Sequence, residues 1–81
     1  MNKEYSMRQR LRKVISDVFE CEESTLPANP DQASIDKWDS LEHLRLIMAV
    51  ESEFNIKFQT ERIPMLTSLE LLIWEITNAN Q

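Results

Sequence analysis

Glycine is missing entirely from this 81-residue sequence, which also has only one cysteine and one histidine. Loops that bind phosphate or a dinucleotide need glycine, because only glycine lets the backbone approach such a ligand closely. Nucleotide-binding enzymes of those kinds are therefore excluded. A lone cysteine cannot form an internal disulfide. Cys21 and His43 also fall short of the roughly four ligands of a structural zinc site, so we expect no bound metal.

Long apolar runs are missing as well. The most apolar stretch, residues 69–76, is interrupted by Glu70 and Glu75. It is far shorter than the roughly 20 residues that cross a bilayer, and the first residues contain no apolar signal core. We therefore expect a monomeric, cytoplasmic protein that is not inserted in a membrane. Its length allows one domain, residues 1–81.

Charge is distributed unevenly along the chain, whose net charge is −5. Residues 1–13 carry five basic side chains and one acidic one, whereas residues 14–81 carry four basic and thirteen acidic ones. Such an acidic body disfavours nucleic acid as the main partner and favours proteins with basic docking patches, although solubility alone also explains it. The basic side chains of residues 8–13 are expected to form a solvated helix face.

Hydrophobic residues recur at helical spacing in three parts of the chain. They predict a first helix over roughly residues 4–20, a second over roughly 40–54 and a last over roughly 68–78. Residues 60–65 are expected to hold one short helical turn, ended by Pro64. The predicted fold is therefore an all-α four-helix bundle, with three main helices and one short helix.

The connection between the first two helices is long, at residues 21–38, and Pro27 and Pro30 break regular structure within it. Ordered loops of this length are uncommon in compact domains and are often functional. Three apolar residues are expected to anchor the loop to the core, namely Leu26, Ala33 and Ile35.

Capping residues mark the predicted helix ends. Asp39 is a good N-cap for the second helix, and Glu42 three residues later completes a variant of the capping box. Thr67 and Glu70 make a second capping box before the last helix. Asn55 is expected in the left-handed conformation that ends the second helix where glycine is more usual.

Ser40 is the candidate for chemistry. It falls in the first turn of the second helix, where backbone N–H groups lack partners and the helix dipole places partial positive charge. A phosphodiester attached to its hydroxyl would be favoured there. The long preceding loop leaves this hydroxyl accessible to a large modifying enzyme. The physics therefore permits a phosphate-linked group at Ser40 without requiring one.

The sequence around Ser40 resembles the attachment motif and second helix of acyl carrier proteins. The resemblance is carried by the runs WDSLEHL at 38–44 and LIMAVESEF at 46–54, and it extends over about residues 5–77. It implies a carrier without catalytic activity of its own. A phosphopantetheinyl transferase would use coenzyme A to attach a covalent 4'-phosphopantetheine arm to Ser40. The arm's thiol would hold an acyl group as a thioester, supplied by a loading enzyme and taken by downstream acyl-transferring enzymes.

The same resemblance implies a set of partner-recognition residues. Asp39 would contribute to recognition by the transferase in addition to capping the helix. Leu41 and Met48 would be apolar docking residues, and Ile63 would frame the arm from the short helix. The acidic positions that would meet basic patches on partners are Glu42, Glu51 and Glu53.

Three positions depart from the pattern of fatty-acid carriers. Trp38 stands where a small residue is common, Arg45 stands where an acidic residue is frequent, and His43 dilutes the acidic face. These departures favour a specialised pathway, such as polyketide, peptide or surface-glycan assembly, over housekeeping fatty-acid biosynthesis. Trp38 and Arg45 join the predicted partner-recognition residues, although Trp38 is open to a second interpretation as a loop residue folded against the bundle.

Alternative interpretations stay open at this point. The cargo could be aminoacyl or peptidyl, or the surfaces around the two tryptophans and the second helix could serve an unmodified interaction domain. Asp39, Ser40 and His43 have the residue types of a hydrolytic triad, but a bundle of this size offers little room for an oxyanion hole. We expect His43 to face solvent, Trp74 to be partly buried and Cys21 to be at least half-buried.

Overall fold

The computed structural model describes residues 3–79 and confirms the all-α four-helix bundle. The elements in chain order are helix α1 (Lys3–Val18), a 3₁₀ turn (Glu23–Thr25), helix α2 (Ser40–Phe54), a short 3₁₀ helix (Thr60–Met65) and helix α3 (Leu69–Ala79). Within residues 3–79 there is no strand, only an isolated bridge between Asp31 and Ser68. None of the helices in this range is long and apolar enough to cross a membrane.

The core is a single cluster of apolar side chains to which every α-helix contributes. Its completely buried members, each with 0% exposure, are Leu11, Ile15, Leu46, Val50, Leu69 and Leu72. The loop before α2 adds Leu26, which is buried, and Ile35, which is partly buried. Ala33 is exposed, so the expectation that it anchors the loop is wrong.

Helix α1 ends two residues before the predicted boundary, because the backbone closes a Schellman motif. The N–H of Glu20 donates to the Asp17 carbonyl at 3.3 Å, and the N–H of Cys21 donates to the Ser16 carbonyl at 3.0 Å. Glu20 adopts φ 54° to make this turn. A left-handed conformation costs a residue other than glycine roughly 1–2 kcal/mol, so the packing of the helix end must compensate for it.

Helix α2 has the predicted bounds, and its two end residues behave as expected. The Asp39 carboxylate accepts a hydrogen bond from the Glu42 N–H at 2.9 Å, and Asn55 is left-handed with φ 55° and ψ 51°. The capping box is only half formed, because the Asp39 N–H donates to the Lys37 carbonyl instead of to the Glu42 side chain.

Helix α3 begins one residue later than predicted. Its N-cap is Ser68, whose hydroxyl accepts a hydrogen bond from the Leu71 N–H at 3.1 Å. Thr67, the predicted cap, instead offers its backbone carbonyl to the Gln32 N–H at 2.9 Å. The cap of α3 therefore lies one residue after the predicted Thr67.

Arg12 of α1 organises the loop before α2. Its guanidinium donates hydrogen bonds to four carbonyl oxygens, which belong to Pro27 at 2.7 Å, Ala28 at 3.3 Å, Glu23 at 3.3 Å and Leu26 at 3.5 Å. A planar guanidinium with several fixed donors suits such an arrangement better than a lysine ammonium does. These hydrogen bonds connect the loop to α1 although the loop contains little regular structure.

The other arginines of α1 connect this helix to its neighbours. Arg8 pairs with Glu70 of α3. Arg10 pairs with Glu53 of α2 at 3.1 Å, and its guanidinium lies 4.2 Å from the centre of the Phe54 ring. The basic residues of α1 are thus partly solvated, as expected for Arg10 and Lys13, and each of the three arginines also has a partner distant in sequence.

We predict that Arg12→Ala lowers the free energy of unfolding by about 1–2 kcal/mol, because the loop carbonyls lose a shared charged donor. Urea unfolding followed by circular dichroism measures this change. Lys13→Ala is the matched control, since the Lys13 side chain is 70% exposed and should change stability by less than about 0.5 kcal/mol. Equal effects of the two substitutions would show that Arg12 does not organise the loop.

Candidate functional site

Ser40 is the first residue of α2 and is exposed. Asp39 before it has extended backbone, with φ −93° and ψ −173°, so the chain turns into the helix at Ser40. The hydroxyl therefore lies beside the first N–H groups of α2, where the helix dipole favours an anion. The structure thus leaves the predicted attachment residue open to an enzyme and in an environment that suits a phosphodiester.

A buried chain of hydrogen bonds lies on the core side of this helix start. The indole N–H of Trp38 donates to Nδ1 of His43 at 2.9 Å, and Nε2 of His43 lies 2.8 Å from the Ile63 carbonyl oxygen. An indole nitrogen can only donate, so Nδ1 accepts and the neutral ring donates from Nε2 to the carbonyl. We call this arrangement the Trp38–His43–Ile63 bridge.

The bridge joins three parts of the chain and is shielded from water. Trp38 belongs to the loop, His43 to the first turns of α2 and Ile63 to the short 3₁₀ helix. Trp38 is 2% exposed and His43 is 7% exposed. Their rings stack at 6.1 Å, and the Phe19 ring from the end of α1 lies 5.5 Å from Trp38. The bridge therefore fixes how the chain enters α2.

The bridge corrects two expectations. His43 does not face solvent, because it is one of the few buried polar residues of the described chain. Trp38 is a core residue, so it cannot offer its ring to a partner as a recognition residue in this conformation. Both ring nitrogens of His43 are also engaged within the chain, which leaves no free nitrogen to take a proton from Ser40 as a hydrolytic triad requires.

The three acidic residues expected to meet basic partners are largely engaged within the chain. A Glu51 carboxylate oxygen accepts the Phe58 N–H at 2.9 Å, and the Glu51 side chain is only 14% exposed. Glu53 pairs with Arg10 at 3.1 Å. Glu42 has one carboxylate oxygen that is buried and has no hydrogen-bond partner among the described residues. Glu51 is therefore largely shielded from a partner, whereas Glu53 stays exposed and Glu42 is partly exposed.

The exposed residues of α2 include three large apolar ones. These are Leu41, Leu44 and Met48, which together with Arg45 we call the outward face; Ser40, Ser52 and Glu53 are exposed as well. The apolar side chains are 63%, 52% and 68% exposed at positions 41, 44 and 48. The structure therefore brings the predicted docking residues Leu41 and Met48 together with Arg45, while the predicted recognition residue Ile63 is only partly buried against the core.

An open groove of about 400 Å³ lies between the end of α1 and the first turns of α2. Its charged lining consists of the carboxylates Glu20, Asp39 and Glu42 and the cations Lys37 and Arg45. Lys37 also donates to the Phe19 carbonyl at 3.1 Å, which connects the loop to the end of α1. Charge of both signs therefore surrounds the start of α2.

Comparison with known proteins assigns no family, because no family model and no curated protein matches this sequence. The likeness to acyl carrier proteins consequently depends on the residues quoted above. The bundle and the position of Ser40 are compatible with that likeness, but neither is specific to a carrier.

We predict that the Trp38 and His43 side chains are energetically coupled. Trp38→Phe removes the indole N–H, and His43→Phe removes both ring nitrogens, so each substitution leaves buried polar atoms without partners and should cost about 1–3 kcal/mol. In urea unfolding, the stability lost by the double variant should be smaller than the sum of the two single losses by at least about 0.5 kcal/mol.

Trp74→Phe is the matched control for this cycle, because Trp74 is 54% exposed. It should change stability by less than about 0.5 kcal/mol. Strict additivity of the Trp38 and His43 substitutions would contradict the coupling and indicate that the two side chains contribute only by packing.

Proposed function

We propose that this protein is an acyl carrier, which holds an acyl or related intermediate as a thioester on a 4'-phosphopantetheine arm attached to Ser40. One observation carries the proposal: an exposed serine stands at the first position of a capped helix, within a run that resembles the carrier attachment motif. The arm would supply a terminal thiol that bears the cargo. The chain itself would act by delivery, because a tethered group reaches successive enzymes at high effective concentration.

The residues around Ser40 fit a phosphate-linked group. The N-terminal N–H groups of α2 favour the negative charge, and Asp39 keeps the first turn closed by accepting the Glu42 N–H. The Trp38–His43–Ile63 bridge holds the start of α2 from the core side, so the serine stays presented to solvent. Each of these groups positions the attachment residue, and none of them would touch the thioester.

The proposed cargo and pathway depend on the three positions that depart from fatty-acid carriers. Trp38 and His43, two of the three departures from fatty-acid carriers, contact each other in the core, so together they form one difference in packing. Arg45 is then the departure that a partner enzyme would meet at the surface. We propose service in a specialised biosynthetic pathway on that ground, with an acyl cargo preferred and an aminoacyl or peptidyl cargo as the alternative.

An unmodified interaction domain is the second candidate, and one observation favours it. Leu71 and Trp74 of α3 are 43% and 54% exposed, so they leave an apolar patch on the surface. Trp74 is thus more exposed than the partial burial expected from the sequence. Such patches often mark surfaces that bind another protein. Burial of Trp38, however, removes one of the two aromatic surfaces on which this alternative depended.

We predict that the purified chain gains one phosphopantetheine group when it is incubated with coenzyme A and a broad-specificity phosphopantetheinyl transferase. Intact-mass spectrometry measures the gain. Ser40→Ala should abolish it, because the acceptor oxygen is lost. Ser52→Ala is the matched control, since Ser52 is another exposed serine of α2, and this variant should be modified like the parent.

Two outcomes would contradict the carrier proposal. One is an unmodified parent chain whose circular dichroism shows the folded helical protein, which is the result expected for an interaction domain. The other is modification that persists in Ser40→Ala. A hydrolase would instead show esterase activity without any cofactor, lost in Ser40→Ala.

A further inference from the structure

We infer that His43 makes the start of α2 responsive to acid: a proton added to its ring breaks the hydrogen bond to Trp38 and keeps the one to Ile63. This response is a property of the folded chain, whether or not Ser40 carries an arm, so it goes beyond the proposed function. It follows from the chemistry of one ring, from the burial of that ring and from the segments that it joins.

The bridge is compatible with only one protonation state of His43. The indole N–H of Trp38 can only donate and lies 2.9 Å from Nδ1, so Nδ1 has to accept. Nε2 lies 2.8 Å from the Ile63 carbonyl oxygen, which can only accept, so Nε2 carries the proton. A protonated ring donates from both nitrogens. It therefore offers no acceptor to the indole, and no rotation of the ring restores one.

The two hydrogen bonds of the bridge respond in opposite ways to the added proton. At Nδ1 two N–H donors would face each other, so the rings of Trp38 and His43 have to separate. At Nε2 the existing donor gains positive charge, and a hydrogen bond from a charged donor is stronger than one from a neutral donor. The ring therefore stays with Ile63 of the short 3₁₀ helix and releases Trp38 of the loop.

Burial of the two rings makes this loss consequential. Trp38 is 2% exposed and His43 is 7% exposed, so water does not reach the bridge while both rings keep their positions. The indole N–H and the new Nδ1–H would both be buried donors without an acceptor, which folded proteins avoid. Trp38 therefore has to move until its N–H meets water or another acceptor.

Charged groups beside the bridge in the loop and in the short 3₁₀ helix bond elsewhere or face solvent. Lys37 donates to the Phe19 carbonyl at 3.1 Å, and the Arg62 guanidinium donates to the Glu75 carboxylate of α3 at 3.1 Å. Glu61 is exposed. The hydrogen-bond partners of the His43 ring among the described residues are thus an indole and a backbone carbonyl, both uncharged.

The remaining charged groups near the start of α2 line its groove with the end of α1, and they are Glu20, Asp39, Glu42 and Arg45. They influence how readily the ring takes up a proton, but they do not change the number of donors that it then presents. Glu42 is the one to control for, because it precedes His43 and has a buried carboxylate oxygen with no hydrogen-bond partner among the described residues.

Release of Trp38 reaches the cap of α2, because Asp39 is the next residue in the chain. The Asp39 N–H donates to the Lys37 carbonyl, and the Asp39 carboxylate accepts the Glu42 N–H at 2.9 Å. Movement of Trp38 therefore pulls on a residue that closes the first turn of the helix. Acid should loosen the segment that presents Ser40, and the Glu42 N–H reports on it.

A pH titration of the isotope-labelled chain by NMR tests this response. The chain has one histidine and two tryptophans, and histidine is the side chain that ordinarily changes charge between about pH 5 and about pH 8. We expect the Trp38 indole N–H signal to shift with the same midpoint as the His43 ring signals. Its hydrogen exchange, corrected for the intrinsic effect of pH, should become about tenfold faster, which is the size of one lost buried hydrogen bond.

Other signals show whether the change has the expected direction. The Glu42 N–H should shift together with the Trp38 indole. The Nε2–H of His43 should stay protected from exchange, since its hydrogen bond to Ile63 is kept. The Trp74 indole is the internal reference, because Trp74 is 54% exposed and lies outside the bridge, so its signal should not follow the titration.

His43→Gln is the matched variant, because a glutamine amide has an acceptor and donors but takes up no proton in this pH range. It should keep the helical circular dichroism and lose the pH response of the Trp38 indole. Glu42→Gln removes the neighbouring carboxylate and should keep the response. Trp74→Phe assigns the two indole signals.

Three results would overturn the acid response. They are a Trp38 indole signal that stays unchanged while the His43 ring titrates, a response that persists in His43→Gln, and unfolding of the chain before the ring titrates. The transferase assay tests Ser40 and not the bridge. Its failure would remove the carrier function and leave the acid response, and the reverse result would keep the carrier.

Discussion

The Trp38–His43–Ile63 bridge is the interaction on which the rest of this structure depends. It places two ring nitrogens of one histidine between an indole donor and a backbone carbonyl, all away from water. A buried polar group that loses its partner costs about 1–3 kcal/mol, so no member of the bridge can be removed without leaving the others unsatisfied. Because the bridge connects the loop, α2 and the short 3₁₀ helix, it determines the direction in which α2 starts and hence where Ser40 lies.

Local sequence signals predict the helices well, and they predict that Ser40 lies in the first turn of α2. The bounds of α2, the Asp39 cap and the left-handed Asn55 all follow from residues within a few positions of one another. The features that the sequence did not reveal depend on distant partners: His43 meets a carbonyl 20 residues away, and Arg8 meets a carboxylate 62 residues away. Helical periodicity places a side chain on a face, but it cannot say whether a neighbouring element covers that face.

The acidic residues show the same limit of sequence-based prediction, because their partners are distant in sequence. The composition is that of an acidic protein, and the resemblance implies that three carboxylates of α2 dock partners. In the folded chain, Glu51 and Glu53 satisfy a backbone N–H and an arginine, while Glu75 is 5% exposed and pairs with Arg62 at 3.1 Å. Several of the acidic side chains that set the net charge thus bind other parts of the chain. Arg45, one of the fewer basic residues, is exposed at the surface.

Trp38 and His43 also constrain one another as a pair. A buried indole N–H needs an acceptor, and Nδ1 of His43 is the acceptor that the described chain provides. With a small residue at position 38, Nδ1 of His43 would lose this donor, and the ring would keep only the hydrogen bond from Nε2 to the Ile63 carbonyl. Trp38 and His43, two positions that differ from fatty-acid carriers, are therefore joined by one contact on the core side of Ser40. Because both rings lie on the core side of α2, their contact does not involve the exposed residues Leu41, Leu44, Arg45 and Met48 of the same helix.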